Sequence, residues 1–277
     1  MNDVAATPLP TLGAAMPARM LERYRDWLID GQRDLEIQDF HTAEVLNGDW
    51  KSRAAEIKKQ LSGYTGRLGI HGPFWGFVID SMDPDIREIV KKRMMQGLDA
   101  CEEIGATQMV VHSPFTTWNY NNFDNKPGSM EEAVGRVHAT LDDAVKRAEA
   151  IGVTLVIENI EDIDPRWRVR LAESFDSERV RVSIDTGHAH YAHGSTGAPP
   201  VDYFVVAAGN MLEHVHLQDA DGYADRHWVM GEGTIRWTAV FRALEALTSN
   251  PRLIIELRDT TRILEAADYL VKAGLAR

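Results

Sequence analysis

Short apolar runs alternate with amphipathic stretches along the whole chain. The apolar runs read TLGAAM, DLEIQDF, RLGIH, TQMVVH, VTLVIEN, RVRVSID, LEHVHLQD and RLIIEL. Most of them lack a clean alternation of apolar and polar residues, which is typical of strands buried on both faces of a parallel sheet. The pattern therefore predicts eight short strands.

Each predicted strand is followed by a stretch with helical periodicity. The predicted helices cover residues 18–30, 50–61, 84–104, 130–150, 165–175, 201–208, 237–247 and 261–273. Eight strand–helix units favour an α/β fold, a single (β/α)8 TIM barrel that residues 1–277 form as one domain. Residues 1–18 would be an extended N-terminal segment that includes the first strand. A doubly wound sheet is the alternative, but no GxGxxG motif follows an early strand.

The third to the eighth predicted strands all end in a histidine or a carboxylate. These residues are His71, His112, Glu158, Asp185, His216 and Glu256. His188 follows closely in SIDTGHAHYAHG, which reads as a polar loop, and the loop after strand seven carries Asp225 and His227. Active sites of such barrels lie at the carboxyl ends of the strands. Carboxylates clustered there would repel one another unless a cation neutralised them.

Neighbouring polar residues are expected to have other roles. His214 shares a strand face with His216 but lies one layer deeper, which favours a hydrogen bond in the core. His190 and His193 follow His188 in the predicted loop and are not expected to be ligands. Glu232 would brace the turn before the seventh helix.

The motifs DTGHAH, HLQDADG and DRHWVMGEGTI resemble the xylose isomerase-like TIM barrel superfamily, specifically its endonuclease IV branch (AP endonuclease family 2). The resemblance implies three divalent ions, usually zinc, with Glu158 bridging the first and the second. The implied ligands fall into three groups: His71, His112 and Glu158; Glu158, Asp185, His216 and Glu256; and His188, Asp225 and His227. A ligand set of nitrogen and oxygen atoms fits Zn²⁺ but does not exclude Mn²⁺ or Fe²⁺.

Charge distinguishes the reactions that these ligands could support. Three divalent ions against the four carboxylates of the full set leave a net charge of +2, which would attract a phosphodiester. One ion against the three carboxylates of the central group leaves −1, which better suits a neutral polyol. Sugar isomerases and epimerases of the same superfamily typically use this four-residue group with one metal ion. The presence of Asp225, together with His71 and His112, favours the prediction of three ions.

Arginine and aromatic residues near the predicted mouth would contact the substrate. Arg226 and Arg258 are the candidates for a phosphate clamp because guanidinium binds phosphate in a bidentate manner; Arg258 could instead pair with Asp259. The aromatic candidates are Phe74, Trp75, Trp118 and Trp228, with Tyr120 and Asn121 beside them. Phe74 and Trp75 could form a wedge for duplex DNA, but the wall of a small pocket is favoured.

These observations predict a metal-dependent hydrolase of a phosphate ester, a small sugar or polyol phosphodiester, with Glu158 and Glu256 as catalytic residues. The alternatives are a sugar isomerase or epimerase with one metal ion, an abasic-site DNA endonuclease, and a non-catalytic sugar-binding barrel. The formal net charge of −12 argues against duplex DNA as a partner, because tight duplex binding neutralises about 6–10 phosphates.

Other features of the sequence concern location. No apolar stretch approaches the roughly 20 residues that span a bilayer, and the N-terminal residues lack a basic region typical of a signal peptide. The single cysteine, Cys101, lies in a helical pattern. A cytoplasmic location with no membrane partner is expected.

Overall fold

Eight parallel strands form a closed barrel in the computed structural model, which describes residues 8–277. The strands are β1 (Leu12–Met16), β2 (Leu35–Ile37), β3 (Leu68–His71), β4 (Gln108–His112), β5 (Thr154–Glu158), β6 (Val180–Asp185), β7 (Leu212–Leu217) and β8 (Arg252–Ile255). Each strand pairs with the next, and β1 pairs with β8. The predicted (β/α)8 barrel is confirmed. Residues 1–7 of the predicted N-terminal segment lie outside the described residues.

The register of the strands brings their carboxyl ends to one level. His112 of β4 is paired with Glu158 of β5, and Asp185 of β6 is paired with His216 of β7. Nearly every strand residue is buried, in agreement with the absence of clean alternation in the sequence. The terminal side chains of consecutive strands therefore meet at one end of the barrel.

The helices surround the barrel. They are α1 (Leu21–Asp30), α2 (Ala43–Asn47), α3 (Trp50–Gln60), α4 (Pro84–Ile104), α5 (Thr117–Asn122), α6 (Ser129–Ile151), α7 (Pro165–Glu173), α8 (Thr186–Thr196), α9 (Val201–Ala208), α10 (Trp237–Glu245) and α11 (Ile263–Lys272). Within residues 8–277, none is long and apolar enough to cross a membrane. Asp83 caps α4 and Asp164 caps α7, each followed by proline at the first helical position.

One helix lies where the sequence predicts a polar loop, and another lies in a stretch for which no helix is predicted. The stretch after β6 is the helix α8, which begins directly at the strand end because the side chain of Asp185 accepts a hydrogen bond from the backbone N–H of His188 at 2.7 Å. The stretch after β4 contains α5, which begins with a capping box between Thr116 and Asn119. Glycine, threonine, histidine and asparagine are weak helix formers, so the composition of both stretches hides the helices.

The close approach of β1 to the chain before β2 requires a glycine at position 13. A Cβ added to Gly13 would overlap the backbone carbonyl of Asp34, which accepts a hydrogen bond from the N–H of Ala14. We expect Gly13→Ala to lower the free energy of unfolding by about 1–3 kcal/mol, because backbone atoms must shift. Thermal or denaturant unfolding measures the change.

Gly135→Ala is the matched control. Gly135 lies within α6, and a Cβ there meets no atom within 4 Å. Alanine should stabilise the protein there by about 0.5–1 kcal/mol, through its better helix propensity. Equal effects of the two substitutions would contradict the role assigned to Gly13.

Candidate metal centre

The carboxyl ends of β3 to β8 bring together every residue that the sequence assigns to a metal site. Each of the three implied groups has ligand atoms that lie within 4.8 Å of one another. The groups are His71, His112 and Glu158; Glu158, Asp185, His216 and Glu256; and His188, Asp225 and His227. A fourth group, Glu36, His214 and His216, includes a residue that the sequence reasoning did not select.

The central group, made of Glu158, Asp185, His216 and Glu256, is the most deeply buried of the three groups that the sequence implies. The Nδ1 atom of His216 lies 2.6 Å from Oε1 of Glu158 and 3.4 Å from Oε2 of Glu256. One imidazole cannot neutralise three buried carboxylates, and Oε2 of Glu158 is buried without a hydrogen-bond partner among the described residues. Four convergent ligand atoms with uncompensated negative charge fit a divalent cation.

The pKa values of two carboxyl groups in the central group are displaced in opposite directions. Burial alone would raise the pKa of Glu158, but the charge and hydrogen bond of His216, together with His112 and His71, hold it well below its usual range. Burial raises the pKa of Glu256 despite the nearby His216 and His227. Glu158 therefore keeps its negative charge to lower pH than Glu256 does.

The group of His71, His112 and Glu158 places two imidazole nitrogens around one carboxylate oxygen. The Nε2 atoms of His71 and His112 are 3.3 Å apart and lie 3.8 and 3.6 Å from Oε2 of Glu158. Nδ1 of His71 donates to the carbonyl of Gly72 at 2.9 Å, which directs the Nε2 lone pair inwards. Burial and the neighbouring His71 lower the pKa of His112 to about 3, so its imidazole is neutral, as a ligand must be.

The group of His188, Asp225 and His227 lies nearer to solvent. Asp225 has 42% of its side chain exposed, and its oxygens lie 3.6 Å from Nε2 of His188 and 3.1 Å from Nε2 of His227. Nδ1 of His188 donates to the carbonyl of Asn159 at 2.9 Å, which leaves Nε2 for a ligand. The backbone of His227 has φ of 51°, a left-handed conformation that is uncommon for residues other than glycine. This conformation brings the His227 side chain to Asp225.

Gln218 connects the central group to the group of Asp225, although the sequence reasoning did not select it. Its amide Nε2 donates to Asp185 at 3.1 Å and to Asp225 at 2.9 Å, and its Oε1 accepts the backbone N–H of His227 at 2.6 Å. A Cβ at Gly187 would overlap this amide. A glutamine directly after a strand end, in HLQD, carries no signal of such a role in the sequence.

Histidines that were not expected to be ligands have other partners. Nδ1 of His214 lies 2.8 Å from the hydroxyl of Ser183 inside the barrel. Nε2 of His190 lies 2.7 Å from the hydroxyl of Thr234, and Nδ1 of His193 donates to the carbonyl of Ala198 at 2.6 Å. Both residues belong to α8 and not to a loop.

The aromatic candidates have different positions at the mouth. The ring of Phe74 stacks on His112 at a centroid distance of 4.2 Å, so it forms a wall of the centre. Trp75 contacts Phe74 at 4.9 Å and is mostly exposed. Trp118, on α5, is 74% exposed. The guanidinium carbon of Arg226 lies over the ring of Trp228, 5.2 Å from the centroid of that ring.

The two arginines predicted to clamp a phosphate differ in whether a carboxylate of this chain already binds them. The guanidinium of Arg226 donates from Nε and Nη2 to Asp221 at 3.0 and 2.8 Å, so a carboxylate already engages two of its five N–H groups. Arg258 is exposed, and Asp259 binds Thr261 rather than Arg258. Both arginines, together with Trp228, line a cavity of about 260 Å³ that also includes Asp225 and His227.

Comparison with known proteins assigns the family. The model of the family described as Xylose isomerase-like TIM barrel matches residues 35–274, and the chain therefore belongs to this family. Uncharacterized protein MJ1311 of Methanocaldococcus jannaschii is 25% identical over 216 residues, which cover 75% of this chain and 70% of that protein. The resemblance seen in the sequence motifs is confirmed at the level of this family.

Solved structures share the fold over nearly the whole chain. The TTHB071 protein from Thermus thermophilus, in a structure soaked with ZnCl₂, has a TM-score of 0.70 and 24% identity and covers 96% of this chain and 99% of its own. A D-tagatose 3-epimerase-like protein has a TM-score of 0.76 and 20% identity, with coverage of 95% and 96%. The ligand clusters of this chain are suited to a divalent metal.

The uncompensated carboxylates predict a stability that depends on metal. Binding of an ion to the folded state alone stabilises it by about 2.7 kcal/mol when the free ion is at 100 times its Kd. We expect Zn²⁺ to raise the melting temperature above that of chelator-treated protein, and Glu158→Gln to diminish this difference. Asp268→Ala, which removes an exposed carboxylate of the outer helix α11, should preserve it. An equal response of both variants would argue against a metal centre at Glu158.

Proposed function

We propose that this protein is a metal-dependent enzyme that acts on a small polyhydroxylated, sugar-like substrate and moves a proton at a carbon beside a carbonyl group. The reaction would be an isomerisation or an epimerisation. The observation that carries this proposal is the central group, in which three carboxylates and one imidazole converge in a buried position at the carboxyl end of the barrel. This site needs one divalent ion.

The chain's own residues would supply the proton transfer. A divalent ion in the central group would polarise a carbonyl or hydroxyl oxygen of the substrate. Glu158 or Glu256 would remove the proton from the carbon beside the carbonyl group. Return of this proton to the former carbonyl carbon, with transfer of the hydroxyl proton to the other oxygen, would give the isomer. Delivery of a proton by the other carboxyl group to the opposite face of the same carbon would give the epimer. Gln38 holds Glu256 by donating to its Oε1 at 2.5 Å, which leaves Oε2 directed towards His216.

The charge of the centre and the comparisons both support this proposal. One ion against the three carboxylates of the central group leaves a net charge of −1, which suits a neutral polyol better than an anion. The D-tagatose 3-epimerase-like protein shares the fold, and the family suggests a small sugar-like substrate. The comparisons thus favour the isomerase or epimerase over the phosphate-ester hydrolase that the sequence analysis placed first.

A second candidate, hydrolysis of a small phosphodiester by a centre of three zinc ions, is favoured by one specific observation. The two flanking groups, His71 with His112 and His188 with Asp225 and His227, are assembled on either side of the central group. A one-ion isomerase needs neither of them. Three ions would give the centre its net charge of +2, with Glu158 between two of them and Arg258 as the available phosphate ligand.

Deuterium exchange tests the proton transfer directly. With Zn²⁺ or Mn²⁺ and a panel of ketoses in D₂O, we expect product that carries deuterium at the carbon beside the carbonyl. Glu158→Gln and Glu256→Gln should reduce the rate by at least about 10²-fold, a loss within the usual contribution of general acid–base catalysis. Hydrolysis of a phosphodiester without any ketose turnover would replace this proposal with the second candidate. Specific nanomolar incision of abasic duplex DNA at about 150 mM salt would support the repair enzyme instead.

Asp225→Ala separates the two candidates. In a one-ion isomerase Asp225 holds no ion, and the variant should keep both its metal content and its rate. In the three-ion hydrolase the variant should lose about one ion per chain and about 10²–10³-fold in rate, the usual cost of one preorganised electrostatic contact. Elemental analysis and turnover of the best substrate decide between them, with Asp268→Ala as the control and a melting curve to check folding.

A further inference from the structure

Glu36 is a buried carboxylate inside the barrel that neither proposed reaction uses. It lies in the middle of β2 and is 2% exposed. Its oxygens contact His214 and His216 of β7, which is not a neighbour of β2, so the contacts cross the barrel interior. Burial of a carboxylate is costly unless it is paired. A strand that served only the core would be expected to carry an apolar residue at this position.

The two ring nitrogens of His216 face different partners. Nε2 lies 3.1 Å from each carboxylate oxygen of Glu36, whereas Nδ1 faces Glu158 at 2.6 Å and Glu256 at 3.4 Å. A carboxylate accepts hydrogen bonds and donates none, so the contact with Glu36 keeps a proton on Nε2. In this geometry Nδ1 shares a proton with Glu158, and a divalent ion in the central group would take the place of that proton.

We propose that Glu36 is a positioning residue that fixes the ring orientation and tautomer of His216, so that Nδ1 is presented to the metal ion. Carboxylates that hold the second nitrogen of a metal-bound histidine have this effect in general, and their loss weakens metal affinity by about 10–100-fold. The inference rests on the metal centre of the proposed function but not on the number of ions, because the central group serves both candidate reactions.

Glu36 also lies close to a second histidine. Its Oε2 lies 3.1 Å from Nε2 of His214, and Nδ1 of His214 lies 2.8 Å from the hydroxyl of Ser183. All of these residues are buried, and the space beside Glu36 and His214 is too narrow to hold a water molecule. Within this cluster Glu36 makes the hydrogen bonds to His216, whereas Ser183 contacts His214 and not His216.

The direct experiment measures the affinity of the protein for Zn²⁺ in competition with a chromophoric chelator. Glu36→Gln keeps the shape of the side chain but removes its charge, and we expect about 10–100-fold weaker binding at the tightest site. Ser183→Ala is the matched control, because it removes a buried polar group from the same cluster without touching His216. It should lower the melting temperature and leave the Zn²⁺ affinity unchanged. Equal Zn²⁺ affinities of Glu36→Gln and the unaltered protein would overturn the proposal.

Nuclear magnetic resonance of the imidazole nitrogens reports the tautomer of His216, which would not depend on Glu36 if Glu36 had only a structural role. The measurement is made on the unaltered protein, so it does not require the Glu36→Gln variant to fold. In the unaltered protein with Zn²⁺, we expect His216 to carry its proton on Nε2 and to bind through Nδ1. The opposite tautomer would overturn the proposal. Protein that binds no divalent ion would remove both the metal centre and the role of Glu36, whereas normal Zn²⁺ binding with an unchanged Glu36→Gln variant would reject Glu36 alone.

Discussion

Electrostatic repulsion among carboxylates at one end of the barrel is the constraint on which the rest of the site depends. Glu158, Asp185 and Glu256 are buried there around the imidazole of His216. Two or more desolvated carboxylates cannot remain ionised together without a compensating cation. The barrel keeps them together because each is fixed by the end of a different strand, and strands packed on both faces cannot separate to relieve the repulsion.

The burial of the ligand groups decreases from the middle of the site outwards. The central group is closed to solvent, whereas Asp225 has 42% of its side chain exposed. Coulombic attraction between an ion and its ligands is stronger in a dry environment than beside water. The central group should therefore bind its ion most tightly, and the outer group should depend more on the surrounding hydrogen bonds that hold Asp225 and His227.

Most of the candidate site could be predicted from the sequence because the position of each residue follows from the strand that it ends. In a parallel barrel, the residue that ends an apolar run lies at the carboxyl end, so the strand ends indicate without a structure which candidate ligands come together. The helix α8 was missed because its cap, Asp185, is also a candidate ligand, and its composition resembles a loop. The sequence also does not reveal that Arg226, a candidate for the phosphate clamp, is paired with Asp221.

Glu36 and Gln218 could not be found from sequence for a different reason. Glu36 reaches His216 across the interior, between strands that are not adjacent, and the sequence of β2 does not indicate which strand its side chain faces. Gln218 acts through three hydrogen bonds to residues of two separate segments, including the backbone of His227.

Gln218 also has a physical consequence for the reaction. Because one amide group donates to Asp185 and to Asp225, the orientation of a central ligand is linked to that of an outer ligand. An ion that fixes Asp185 would hold Gln218, which in turn holds Asp225 and the strained backbone of His227 in place. Occupation of the central group would thus prepare the outer group for an ion.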